Sequence, residues 1–138
     1  MTVYKGFINV RKMMEKTGRK METVAREVSQ DLAEEVVRRT PVDTGFLRGS
    51  WFAQVGSAEA AFEPVKDKDG AATIASIALD VASKPFKIGD TISILNQAAY
   101  ARHVEFGTSR MSPRGMVRST VADAPQIAAR TIQRIKRI

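Results

Sequence analysis

The sequence predicts an α+β domain: a long N-terminal helix, a small antiparallel β-sheet of three to four strands, and a C-terminal helix. Three observations carry this. Apolar residues recur at three- and four-residue steps from Phe7 to Arg39, and short β-type runs bounded by Gly, Pro and Asp fill the middle of the chain. From about Asp123 the helical period returns. At 138 residues the chain fits one domain, spanning 1–138. A domain of this size buries only roughly two-thirds of its unfolded surface, so contacts with neighbouring subunits would add usefully to its stability.

In the first helix Met14, Met21, Val24, Ala25, Val28, Leu32 and Val36 line one face. The other face carries Glu15, Arg19, Glu22, Arg26, Glu34 and Arg38, several of them spaced for opposite-charge pairing. The Met-rich stripe reads as core packing rather than as a binding face. Gly18 weakens the middle by about 1 kcal/mol relative to alanine, which makes a bend there plausible. Pro41 stops the helix, because the residue before a proline is driven out of helical dihedrals.

Residues 40–50 are rich in turn formers, and Ser50 to Val55 has strand character. A polar stretch of about 57–71, ending in the turn pair Asp69-Gly70, reads as a mobile loop. Ala72 to Asp80 is a second strand candidate, although its alanines weaken it and leave a helix open. Thr91 to Asn96 alternates cleanly as a third strand. Residues 97–119 are dense in turn formers and read as short ordered pieces with a loop. In the final helix Asp123 is suited to cap, Pro125 fits a first turn, and Ala124, Ala128, Ile132, Ile135 and Ile138 share a face.

Charge is uneven along the chain. Residues 1–101 hold 14 basic and 13 acidic residues, whereas residues 102–138 hold 8 basic and 2 acidic ones, so +6 of the net +7 sits in the last quarter. Such a surface meets either nucleic acid or an acidic protein. There is no cysteine, which excludes disulfides and thiolate chemistry. No run approaches the ~18 apolar residues of a membrane span, and the N-terminus lacks the apolar core of a signal peptide. No membrane association is expected.

Little in the sequence suggests catalysis. His103-Val104-Glu105 could supply a base and its orienter, or two metal ligands. It contains the chain's one histidine, and on a helix positions 103 and 105 point about 200° apart. The reading favoured is a structural His and a Glu that accepts hydrogen bonds from backbone or from Arg102. Phosphate-loop, nucleophile-elbow and zinc-finger patterns are missing. No enzyme activity, cofactor or metal is expected.

Two stretches match a family pattern: Thr40-Pro41-Val42-Asp43-Thr44-Gly45-Phe46-Leu47-Arg48-Gly49-Ser50-Trp51, and Tyr100-Ala101-Arg102-His103-Val104-Glu105-Phe106-Gly107-Thr108 followed by Pro113-Arg114-Gly115-Met116-Val117-Arg118. Together, in this order, they resemble the neck or tail-completion (head–tail joining) proteins of long-tailed phages, of the lambda-type minor tail protein Z kind. The family often has an aromatic where this chain has Gly115-Met116, and Met116 with Val117 is expected to supply the apolar docking. Within the first motif Pro41 ends the helix, Asp43 and Thr44 tie the turn, Gly45 lets the chain reverse, and Leu47 and Trp51 anchor the first strand. In the second, Tyr100 and Phe106 are core or interface aromatics, Gly107 permits a tight backbone, and Glu105 bonds amides or an arginine.

The resemblance implies a structural subunit of a homo-oligomeric ring, six-fold to match the tail tube, in the virion neck. Its partners would be further copies of itself, the head-closure protein, and the tail-terminator or tail-tube proteins. DNA would pass through the lumen without sequence specificity, after assembly in the bacterial cytoplasm. Arg114, Arg118, Arg130, Arg134, Lys136 and Arg137 are the candidate contacts, to an acidic neighbouring ring in preference to the DNA. The alternatives are the tail terminator of the same region and a small basic nucleic-acid-binding protein.

Overall fold

The computed structural model describes residues 20–42, 45–57, 63–87 and 89–136. Five helices and a two-stranded antiparallel sheet are found there, which is the α+β class with a smaller sheet than the three to four strands expected. Helix α1 (Met21–Arg38) is central, because its apolar stripe is wide enough to be covered on two sides. Val24 and Val28, with Leu32 beside them, pack on Ala128 and Ile132 of the C-terminal helix. Ala33, Val36 and Val37 enter the main core with Trp51, Val55, Ile77, Val81 and Met116. The first part of the helix expected from Phe7, including Met14 and the bend at Gly18, lies outside the described residues.

A 3₁₀ turn (Arg48–Ser50) leads into strand β1 (Trp51–Val55). This pairs with β2 (Ile92–Asn96) in the register Trp51↔Asn96, Ala53↔Ile94 and Val55↔Ile92, so those six residues share one face. Trp51, Ala53 and Val55 are buried on it. Both strands fall where the alternating pattern puts them.

The second strand candidate is overturned: residues 71–83 form helix α2 (Ala71–Ser83), which packs on β1 and α1. Thr73, Ile77 and Val81 are its buried residues, at three- and four-residue steps. Five alanines, the strongest helix formers, outweigh the strand preference of the β-branched Thr73, Ile74 and Ile77. The segment read as short pieces and a loop contains α3 (Ala101–Phe106) and α4 (Met116–Ala122), and α5 (Ala124–Lys136) follows directly. On α5 the expected Ala124, Ala128 and Ile135 are buried and Ile132 is half-buried. Ile127 and Thr131 complete the buried face, and Ile138 lies outside the described residues.

Arginine side chains fasten the helices. On α1, Arg26 donates to the carbonyls of Val81 and Lys84 at the C-terminal end of α2, where the helix dipole favours a cation. From α5, Arg134 reaches Glu27 at 2.7 Å and Asp31 at 2.8 Å, and Arg130 reaches Glu35 at 3.1 Å. Its contact with Asp31 holds the Arg134 guanidinium above its ordinary value, and contact with Glu27 adds to this against partial burial.

Candidate functional site

The residues of the first motif form an interior turn. Beyond α1 the Thr40 amide donates to the Val37 carbonyl at 3.1 Å, and Pro41 follows, half-buried, where the helix cannot continue. Buried Thr40 donates its hydroxyl to the Val36 carbonyl at 2.7 Å and accepts the Trp51 indole N–H at 2.8 Å. The end of α1 is thereby tied to the start of β1, and no polar atom of Trp51 is buried without a partner. Arg48 donates to the carbonyls of Arg38, Thr40 and Lys68, closing the helix end with a cation.

Two glycines in this turn are required by space. Gly45 has φ +85°, and a Cβ there would stand 2.7 Å from the Asp67 amide nitrogen. A Cβ on Gly49 would stand 1.6 Å from the Val65 carbonyl oxygen. Residues 65–67 therefore lie directly against the motif, joined to it by Asp67 N–H to Gly45 O at 3.0 Å and Val65 N–H to Gly49 O at 3.3 Å. Leu47 is buried. Asp43 and Thr44 lie outside the described residues, and so do residues 58–62 of the stretch read as a mobile loop.

Asp67 belongs to that same stretch and is buried. Its carboxylate accepts the Gly70 amide at 3.2 Å, the Thr73 amide at 2.8 Å and the Thr73 hydroxyl at 2.7 Å, capping the N-terminus of α2. Burial alone would raise its pKa. The bonds from Thr73, with smaller help from Asp69 and Gly70, outweigh this and hold it below the usual carboxylate value.

The second motif is built around Glu105, whose side chain is buried among donors. It accepts the amides of Val117 at 2.7 Å and Arg118 at 3.1 Å at the N-terminus of α4, together with Arg118 Nε at 3.0 Å. Arg118 also donates to the Glu105 carbonyl. The arginine that serves Glu105 is thus Arg118 and not Arg102. Arg114 N–H to Val104 O at 2.8 Å and Gly115 N–H to Glu105 O at 3.1 Å bring the returning chain back against α3.

Gly107 makes this return possible. It has φ +78°, and a Cβ would lie 2.7 Å from both the Met111 carbonyl oxygen and the Pro113 nitrogen. Phe106 lies beneath Arg118, whose guanidinium carbon is 5.0 Å from the ring centroid. Tyr100 is partly exposed and stacks on Phe46 of the first motif at 6.4 Å between centroids. The two motifs meet there. Met116, in place of an aromatic, is buried in the core.

His103 and Glu105 do not combine. His103 is exposed, while Glu105 is buried and engaged with α4. Among the described residues no group of three or more His, Asp or Glu side chains is placed to hold a metal ion. A cleft of about 330 Å³ between α1 and α5 is lined by Asp31, Glu34, Glu35, Arg38, Ile127, Arg130 and Arg134, and the acids and arginines of its walls pair with one another or with Arg39.

The basic residues separate into two sets. Arg130 and Arg134 are matched to carboxylates of α1, and Arg118 is matched to Glu105. Arg114 and Lys136 are exposed, and Arg137 lies outside the described residues. Sequence reasoning missed Arg48 and Asp67. Asp67 was legible in principle, as a carboxylate three residues before the glycine that precedes α2.

Fold and turns together define a small α+β domain whose two motifs hold loops in fixed shapes. Residues 9–107, more than two-thirds of the chain, match the model of the HK97-gp10-like family, described as "Bacteriophage HK97-gp10, putative tail-component". The chain belongs to this family, and is therefore a phage tail component and part of the virion. The match carries the tail-component family broadly and not the lambda-type Z likeness in particular. No curated protein and no solved structure matches the chain. Among the described residues no helix is long and apolar enough to cross a membrane.

Proposed function

We propose that the chain is a non-enzymatic subunit of a ring at the virion neck, at the junction of head and tail, serving tail completion. Its neighbours would be further copies of itself in a six-fold ring, the head-closure protein on one side, and the tail-terminator or tail-tube proteins on the other. DNA would pass through the lumen without sequence-specific contacts. Family membership is the observation that carries this reading. The geometry supports it: Glu105 and Gly107 hold the 107–114 loop in a defined shape at the surface, as a subunit interface requires. Arg114, Lys136 and Arg137 are the basic residues best suited to a neighbour or to the channel, whereas Arg130 and Arg134 serve the subunit's own helix packing. Heterologous contacts close rings of this kind.

The test is twofold. Light scattering on the purified protein across a concentration range, with imaging of any large species, should find a closed ring, either of the protein alone or with its neighbours added. A gold label on the C-terminus should mark the head–tail junction of intact particles. Labels distributed along the tail would refute the neck position, and a monomer that binds random duplex tightly at physiological salt would favour the nucleic-acid-binding alternative.

A further inference from the structure

The charge that α5 neutralises internally leaves a different basic surface uncompensated. Arg102, Arg110 and Arg114 are exposed and make no ion pair among the described residues, and the single acid between residues 97 and 118, Glu105, is buried and turned toward α4. The chain folds back at Gly107 so that the Arg114 amide meets the Val104 carbonyl, which places these arginines on one lobe of α3 and its returning loop. Tyr100, Phe106 and Met111 on the same lobe are 42%, 39% and 38% exposed.

From this lobe we infer a docking surface for the acidic face of a different virion protein, in a reading that rests on membership of the tail-component family and not on the ring. Composition is the first argument. Residues 97–118 contain four arginines and no lysine, though the rest of the chain has nine lysines. Aromatics, Met and Arg are the residues enriched at protein interfaces, and Lys is depleted there. Contacts to duplex phosphates need charge but have no use for the partly exposed Tyr100, Phe106 and Met111 on the same lobe. A firm grip on phosphate would also oppose passage of DNA.

Charge complementarity is the second argument, and it points away from a second copy. The grouped carboxylates of this chain, Glu27, Asp31, Glu34 and Glu35, are already held by Arg134, Arg130, Arg39 and Arg38. The acids left exposed without an ion pair among the described residues, Glu22, Glu63, Asp69 and Asp90, are spread along the sequence, two of them among Lys66 and Lys68. A grouped acidic face therefore comes from another protein, which presents Asp or Glu beside apolar residues.

A photo-crosslinking amino acid at Met111, in particles assembled with the otherwise intact chain, identifies the partner directly. The expected adduct is to an Asp- or Glu-rich peptide of another virion protein. An adduct to DNA, to a second copy of this chain, or to nothing overturns the proposal. The triple variant Arg102→Glu, Arg110→Glu, Arg114→Glu should fold with unchanged circular dichroism and melting temperature, yet lower particle yield by about tenfold or more. The matching lysine triple should fall between it and the unaltered protein. Normal yield from the glutamate triple overturns the docking surface. An adduct to an acidic protein located away from the neck would leave it standing and refute the neck position alone.

Discussion

Helices α2 and α4 begin in the same way and are held differently. Each is preceded by a glycine of positive φ, Gly70 at 81° and Gly115 at 58°, and neither receives a side-chain cap from that residue. For α2 the carboxylate comes from three residues upstream, Asp67, which bonds the Gly70 and Thr73 amides and needs little additional ordering of the chain. For α4 it comes from Glu105, ten residues before Gly115 and on another helix, with Arg118 as an added partner. A local cap shapes one helix end. A distant one also fixes the position of a helix relative to its neighbour and the shape of the loop between them.

That comparison can be broken most strongly at Glu105. Glu105→Ala should destabilise the fold by about 2–3 kcal/mol, because amides of Val117 and Arg118 lose an ionised acceptor. It should also free the 107–114 loop, read as faster amide exchange there by mass spectrometry. Unchanged protection in that loop would show that Gly107 and the backbone bonds suffice. Asp67→Ala should cost about 1–2 kcal/mol by denaturant unfolding, with exchange changes confined to the start of α2.

Acid sharpens the difference further. The folded pKa of Asp67 lies below its unfolded value, so its contribution is intact above about pH 4 and fades as pH falls through the folded value. The stability gap between the unaltered protein and Asp67→Asn should therefore narrow as pH is lowered from 7 toward 2. A gap that stayed constant would show that the carboxylate's charge is not what the cap uses. The smallest effect is expected from Arg134→Ala, whose partners are partly exposed: about 0–1 kcal/mol, decreasing with added salt.

The same contrast explains what could be read from the sequence. Strands β1 and β2 and helices α1 and α5 were legible because a period, of two or of about 3.6, is a local property. Helix α2 was misread as a strand because Ile77 and Leu79 fit a period of two while Thr73, Ile77 and Val81 fit one of about 3.6, and so short a run left both open. Alanine propensity and the Asp67 cap decided the matter, and Leu79 was left 67% exposed. Glu105 was legible as an acceptor for backbone amides, but which arginine joins them was not, since Arg102 is near in sequence and Arg118 only in space. The α5 arginines were read as outward contacts for a similar reason. Carboxylates on α1, some 95 to 107 residues away along the chain, pair with them, and no local pattern encodes that meeting.

The pairing of α1 with α5 has a consequence for alignment. Glu27, Asp31 and Glu35 recur every four residues, as do Arg130 and Arg134, so the two rows form a ruler with evenly spaced marks. Sliding α5 by one helical turn, about 5.4 Å, would still lay arginines against carboxylates. Thr131 breaks that degeneracy. It is wholly buried, and its hydroxyl is bonded to Asp31, the one acid of the row that is a methylene shorter than its neighbours Glu27 and Glu35, while its bond to the Ile127 carbonyl lies within α5 and moves with it. The charges hold the two helices together, and one hydroxyl selects the notch.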